Sequence, residues 1–459
     1  REPVWINCRG YIVRDDQQKP IYLIGCINEI GNRQKADNIT GLLGETSLEK
    51  YFKDSVSTLN KGFLIHIGID GFKMINENYG WDYGDYILRE TASCILSCIS
   101  DSQKVYKIAS DEFIILDTTS SDMTTASNLY DHICKHINQF IEENNFAAVF
   151  TISAGILPLP DLSRTGYEEI IKRTDFSLTV AKQHGRNCCY IFREEEYQNF
   201  LRIREITNEL HSAVNHDFRG FSIFFQPIID IRQDKLTGAE VLIRFTSKKF
   251  AQISPAEFIP LLETSGLIIP IGRWLMREAI TACRKIRTQL PDFKININVS
   301  QVQITNSDVI TDLINEMNAS SLPHTAIVIE LTESILLEKN EKAQNFLKEL
   351  KQAGLQLALD DFGTGYSNFH YLSELHPDIV KIDRGFTSKA ITDKKEYYLL
   401  NQFSNMIHNL GLKLCIEGIE TEDELQKIKL LKPDYCQGFY WGRSCPYDEF
   451  RKHFVDVDR

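Results

Sequence analysis

From residue 217 onward, short apolar runs end repeatedly in a carboxylate, an amide or an amine, and helix-like spacing fills the stretches between them. The runs are GAEVLIRF with Glu240, ININVS with Asn298, IVIELTES with Glu330, LALDDFG with Asp360 and Asp361, IVKID with Lys381, and LCIEGIE with Glu417. Strands that alternate with helices and carry polar groups at their ends predict an α/β barrel whose site sits on one rim. Acids and an amide gathered at one mouth repel one another unless cations lie among them, so the pattern points to divalent metal. Lys381 adds one fixed positive charge.

Upstream, residues 37–196 alternate strand and helix signals. FLIHIGID reads as a strand, WDYGDYILRETASCILSCIS as a helix, VYKIASDEFIILD as a strand pair, residues 124–144 as a helix and FTISAGI as a strand, which together predict an α/β sandwich. Residues 1–36 hold two strand-like runs around the polar turn DQQKP and read as a β-hairpin, too small to be stable alone. Between the two large segments, residues 197–216 place Phe200, Ile203, Ile206, Leu210 and Ala213 at three- and four-residue intervals, one apolar helix face. That face is expected to pack on the segment it precedes, residues 217–459.

Composition narrows the classes. With 459 residues, 43% hydrophobic and 25% charged, the chain can bury two or more cores. A net charge of −12 argues against long nucleic acid, whose binding needs clustered Lys and Arg, but leaves room for a small nucleotide neutralised by metal. No apolar stretch reaches the roughly 18–20 residues of a membrane span, so any membrane contact is expected outside this chain. Eleven cysteines lack regular spacing apart from Cys188-Cys189 and Cys94-x-x-x-Cys98, as in a cytoplasmic protein with reduced, mostly buried thiols. The start at Arg1, without an initiator Met, reads as a piece of a longer protein with a sensor upstream.

The order FFQP, EVLIR, NVS, ELTES, DDFGTGYS, KID, EGIE and QGFYWG over about residues 217–459 resembles the EAL family of cyclic di-GMP phosphodiesterases. The resemblance implies a (β/α)8 TIM-like barrel that opens cyclic di-GMP to linear pGpG with two Mg2+ or Mn2+ ions. By the same resemblance, Glu240, Asn298, Glu330 and Asp360 hold one ion, and Asp360, Asp361 and Glu417 reach the other. Lys381 either orients the attacking water or offsets phosphoryl charge, and Gln437 hydrogen-bonds a water beside the ions. Gln226, Leu242 and Arg244 contact substrate, while Glu333 and Glu420 support the site, Glu333 by holding the DDFGTGYS loop. Arg443-Ser444-Cys445-Pro446 departs from the family, which more often has proline directly after GR. The alternative is a silent cyclic di-GMP receptor or protein-interaction module; a missing ligand would favour it, and none is missing.

The middle segment resembles the GGDEF family of diguanylate cyclases through ADNITGLLGE, IDGFKMINENYGWDYGD, ASDEF and AKQHGRN. Its departures predict loss of cyclase chemistry. A metal-binding acid of the family is Gly68 here, so only Asp111 remains of that pair, and the two glycines are Ala109 and Ser110, where a Cβ is expected to strain the turn. Gly44-Glu45 replaces NR, and Ser100 and Gln103 replace the inhibitory RxxD. The family's guanine contacts fall on Asn76 and Asp85 and its phosphate contacts on Lys182 and Arg186. These residues either bind GTP as an effector or are surface residues of a scaffold. The hairpin resembles the end of a PAS sensor domain, and the expected assembly is a homodimer.

Overall fold

The computed structural model describes residues 5–14, 19–30, 36–55, 61–120, 122–144, 148–159, 165–332, 341–363 and 376–456. Contacts divide the chain into two units, Arg1–Leu201 and Arg202–Arg459. In the first, β1 (Trp5–Arg14) and β2 (Pro20–Ile30) pair antiparallel as the expected hairpin. The other six strands are β3 (Leu43–Gly44), β4 (Phe63–Ile69), β5 (Gln103–Lys107), β6 (Glu112–Asp117), β7 (Ile152–Pro158) and β8 (Cys189–Ile191), in the sheet order β3-β5-β6-β4-β7-β8.

Strand β4 lies at the heart of this sheet and is buried along its whole length. Because side chains alternate across a strand, Phe63, Ile65, Ile67 and Ile69 enter the core shared with helices Phe72–Tyr79, Trp81–Cys98 and Met123–Glu143. Leu64 faces the other way and packs with Leu48, Phe52 and Ile170. The same alternation puts His66 and Gly68 on the Leu64 side, toward helix Tyr167–Gln183.

The second unit is a closed barrel of eight strands: β9 (Phe221–Asp230), β10 (Lys235–Ser247), β12 (Lys294–Asn298), β13 (Ile327–Thr332), β14 (Gln356–Phe362), β15 (Ile379–Ile382), β16 (Lys413–Ile416) and β17 (Tyr435–Cys436). The short strands β11 (Ala251–Ile253) and β18 (Cys445–Pro446) pair at its edge. From β10 through β17 neighbours run parallel, and their runs are apolar on both faces, as parallel strands under helices must be. One strand departs from a fully parallel (β/α)8 pattern: β9 is antiparallel to both β10 and β17. Only residues 231–234 join β9 to β10, and a parallel return needs a crossover of about a dozen residues or more.

Helix Glu194–Asn215 runs through the unit boundary. Ile206, Leu210 and Ala213 are buried in the barrel's core as the spacing predicts, whereas Phe200 and Ile203 stay 40% and 36% exposed. Phe200 instead lies 5.2 Å, ring centre to ring centre, from Phe176 of the first unit. No helix among the described residues is long and apolar enough to cross a membrane.

Candidate metal and phosphodiester site

The parallel strands bring Glu240, from the middle of β10, and Asn298, Glu330, Asp360 and Glu417, from at or near strand ends, to one mouth around the buried Lys381. Lys381, 1% exposed, holds its Nζ 2.8 Å from Glu417 Oε1, 2.9 Å from Glu330 Oε1, 3.1 Å from Asp360 Oδ1 and 3.3 Å from Glu240 Oε2. Asn298 Nδ2 donates to Glu240 Oε1 at 2.9 Å and Gln437 Nε2 to Glu240 Oε2 at 2.8 Å. Four carboxylates therefore face a single ammonium, leaving negative charge in surplus.

Burial opposes every charge in this cluster. At Glu240 it is outweighed by Lys381 and by hydrogen bonds from Gln437 and Asn298, which hold the carboxyl below its usual range. At Glu330 burial prevails and, despite Lys381 and with Glu240 and Asp360 close by, lifts the carboxyl well above it. Burial pushes Glu417 up to about 8 against the pull of Lys381, with Asp360 and Glu240 adding to the rise. Burial alone would neutralise Lys381, yet its four carboxylates hold it well above the ordinary lysine value.

The donor set fits a divalent cation. One oxygen each from Glu240, Glu330 and Asp360 lie within 4.8 Å of one another. Among the described residues, Glu330 Oε2 and Gln437 Oε1 are buried without a hydrogen-bond partner, acceptors that cost free energy unless something positive meets them. All the donors are oxygens, the preference of hard cations.

Asp361 is held differently. Leu359 pairs with Val380 and Phe362 with Ile382, so Asp360 and Asp361 together oppose the single residue Lys381. This is a β-bulge, and Asp361 occupies its left-handed position with φ 55°. The acidic pair is thus accommodated by a bulge within the strand. Asp361 is exposed as a residue, but the partial burial of its carboxyl against the protein, followed by the nearby charges of Asp360 and Asp383, raises its pKa.

The β9–β10 register puts Gln226 opposite Glu240 and Phe224 opposite Leu242, on the strand faces that carry the site. Arg244, two residues further along, donates Nη2 to Ser444 Oγ at 2.8 Å and stacks over the Phe224 ring. The departure at Ser444 therefore touches a candidate substrate residue. Glu420 pairs with Arg384 at 2.5 Å, and Glu333 lies outside the described residues. Asn296 was not anticipated: buried one inward step below Asn298, it donates Nδ2 to Glu330 Oε1 at 2.7 Å. The alternation in ININ carried that signal.

The middle segment has settled its charges internally. His66, 1% exposed, contacts Glu112 Oε2 and Asp175 Oδ1, each at 3.2 Å. Lys182 reaches Glu112 Oε1 at 3.6 Å, and a Cβ at Gly68 would meet Lys182 Nζ at 2.9 Å. The lysine expected at phosphate thus stands beside the place of the lost metal-binding acid. Ala109 and Ser110 are not strained: neither has positive φ, Lys107 donates to the Ala109 carbonyl, and Ser110 Oγ donates to Asp111 Oδ1 at 2.7 Å. Asn76 and Asp85 lie on adjoining helices, with Asn76 Oδ1 buried against Gly84 and without a hydrogen-bond partner among the described residues. Arg186 occupies the turn after helix Tyr167–Gln183 with φ 63°, and Glu45 opens helix Glu45–Ser55.

Residues 207–444, more than half of the chain, match the EAL domain family, and residues 34–188 match the diguanylate cyclase, GGDEF domain family. The chain belongs to the EAL family and carries a GGDEF domain in tandem. The bifunctional diguanylate cyclase/cyclic di-GMP phosphodiesterase MucR of Pseudomonas aeruginosa is 28% identical over 421 residues, 90% of this chain and 60% of that protein. The cyclic di-GMP phosphodiesterase PdeR of Escherichia coli is 27% identical over 420 residues, 91% of this chain and 63% of that protein. The solved c-di-GMP complex of the PaMucR phosphodiesterase is 30% identical with a TM-score of 0.50, covering 54% of this chain and 99% of that one. The EAL enzyme Bd1971, bound to cAMP and cyclic di-GMP, shares the fold at 24% identity and a TM-score of 0.54, over 75% of this chain and 81% of that one. The chain spans 60%, 50% and 49% of the length of three curated relatives it matches.

Proposed function

We propose that the barrel hydrolyses cyclic di-GMP to linear pGpG with Mg2+ or Mn2+, two ions per site, and that the GGDEF domain makes no cyclic di-GMP. The observation that carries this reading is the charge surplus around Lys381, with every expected ligand position filled and buried acceptors left over. The relatives named as phosphodiesterases and the cyclic di-GMP-bound relative support the choice of substrate.

When bound, the cations offset phosphate charge and make the attacking water acidic enough to react near neutral pH. Glu240, Asn298, Glu330 and Asp360 would hold one ion, and Asp360, Asp361 and Glu417 the other. Water adds to phosphorus, the bond to the 3′ oxygen breaks, and that oxygen leaves as an alkoxide that takes a proton from solvent to become the 3′ hydroxyl. Lys381 would supply the fixed positive charge beside the phosphoryl group, Glu417 would take the water's proton after giving up the one that burial holds on its carboxyl up to about 8, and Gln437 would orient that water. Gln226, Leu242 and Arg244 line the approach, with Arg244 suited to a phosphate oxygen. Glu420 and Glu333 keep the rim in place.

The GGDEF domain would bind GTP as an effector at Asn76, Asp85, Asp111, Lys182 and Arg186, and the protein would be a cytoplasmic homodimer whose hairpin is the end of a PAS sensor. The test is to incubate the purified chain with cyclic di-GMP and Mg2+ or Mn2+ and separate the products. Linear pGpG that disappears reversibly with EDTA is expected; cyclic di-GMP bound but unchanged would make the barrel a receptor. Calorimetry with millimolar GTP, run beside the hydrolysis assay, decides the effector role.

A further inference from the structure

The GGDEF domain carries a second cluster of metal-binding side chains, away from any residue given a role above. Helix Met123–Glu143 places His132 and His136 one turn apart, with ring centres 4.7 Å apart and planes at 87°. Cys98, the last residue of helix Trp81–Cys98, stands against them. Its Sγ and one nitrogen from each ring all lie within 4.8 Å of one another.

We propose that Cys98, His132 and His136 bind a Zn2+ ion that pins the end of helix Trp81–Cys98 to helix Met123–Glu143. One thiolate and two imidazoles are the donors that borderline-soft Zn2+ prefers, and three protein ligands leave a fourth tetrahedral position for water. Zn–S of about 2.3 Å and Zn–N of about 2.0 Å set ligand atoms roughly 3.3–3.6 Å apart, so side-chain rotations that move the ligand atoms by about 1 Å close the site.

The histidine spacing comes from the helix itself, since residues i and i+4 share a face. Neighbouring Ile133 and Ile137 are buried in the core and fix the helix's rotation, leaving His132 exposed and His136 half-buried at the seam. Cys98 is half-buried too, and burial raises its thiol pKa. Binding therefore releases the thiol proton to solvent as the sulfur–zinc bond forms. The barrel's oxygen-rich cluster offers no comparable soft donor set, so the two sites separate by chemistry.

Co2+ is the probe, because a cobalt–thiolate bond absorbs in the near ultraviolet and a carboxylate site does not. Metal-stripped full chain titrated with Co2+ should develop a thiolate-to-cobalt band, and added Zn2+ should erase it. Cys98→Ser should lose the band, and His132→Ala with His136→Ala should weaken Zn2+ binding more than about a hundredfold, beyond what losing a mere supporting contact costs. Zn2+ at a hundredfold excess over its Kd should raise the melting midpoint of the GGDEF domain by roughly 5–10 °C in the wild type only. No thiolate band in the wild type, a band that survives Cys98→Ser, or equal Zn2+ stoichiometry in wild type and variants would each overturn the proposal. Unliganded melting curves of the three proteins should coincide, which separates lost metal from lost fold.

Discussion

The barrel mouth and the GGDEF sheet each gather acids around a lysine, and they resolve the charge in opposite ways. At Lys381 one ammonium faces Glu240, Glu330, Asp360 and Glu417, and buried acceptors remain unmet. On the GGDEF sheet Lys182 and His66 face Glu112 and Asp175, so cations and acids come close to balance without help. An unbalanced buried cluster has to import positive charge, whereas a balanced one has no such need. Family resemblance alone offered both places as nucleotide sites; charge balance tells them apart.

The largest effect is expected where the surplus is cut. Glu240→Ala should lower cyclic di-GMP hydrolysis by at least about 10³-fold with the circular dichroism spectrum unchanged. Activity within tenfold of wild type would remove Glu240 from the site.

Next comes the counter-charge. Lys381→Met leaves four carboxylates facing one another, those of Glu240, Glu330 and Asp360 buried, and denaturant unfolding in EDTA should show a loss of about 3–5 kcal/mol. Mn2+ should restore part of it, and equal stability in EDTA would mean that the lysine does not balance the acids.

A smaller effect is expected on the balanced side. Burial opposes protonation of His66, but its bonds to Asp175 and Glu112 raise its pKa above the usual histidine value. A raised folded pKa means that this contribution is fully present below the unfolded value and lost as pH rises through the folded one. The GGDEF domain should therefore lose stability as pH climbs past neutrality, and His66→Gln should flatten that slope at a cost of about 1–3 kcal/mol at pH 6. An unchanged slope would show that the imidazole carries no charge there.

The smallest change is Gly68→Asp, which returns an acid to the sheet. The added Cβ meets the flexible end of Lys182 at 2.9 Å and the buried Leu178 Cδ2 at 3.3 Å, so stability should fall by about 1 kcal/mol as the two side chains give way. The lysine should pair with the new carboxylate, and GTP should still yield no cyclic di-GMP. Product formation would show that the balanced cluster had been silenced by that one residue.

Much of the barrel was legible because most of the site residues are polar groups set at the edge of an apolar run, a pattern that survives in one dimension. Asn296 escaped because it sits inside its run rather than at the end, although the two-residue step to Asn298 marked it. The direction of β9 was also written in the chain, in the brevity of residues 231–234. The cluster of His66, Glu112, Asp175 and Lys182 was not. Its members come from two strands and a helix far apart in sequence, and each reads singly as ordinary surface chemistry.

The bulge in β14 has a consequence for how this strand can be edited. Leu359 and Phe362 both point into the outer core with Val380 and Ile382, and a regular strand would need one residue between them instead of two. Asp361 is thus surplus to the architecture: splicing it out would leave Leu359, Asp360 and Phe362 on the faces they already occupy and would remove a left-handed residue worth about 1–2 kcal/mol of strain. The barrel carries a residue that its closure does not require, and a chain shortened there should be the sturdier one.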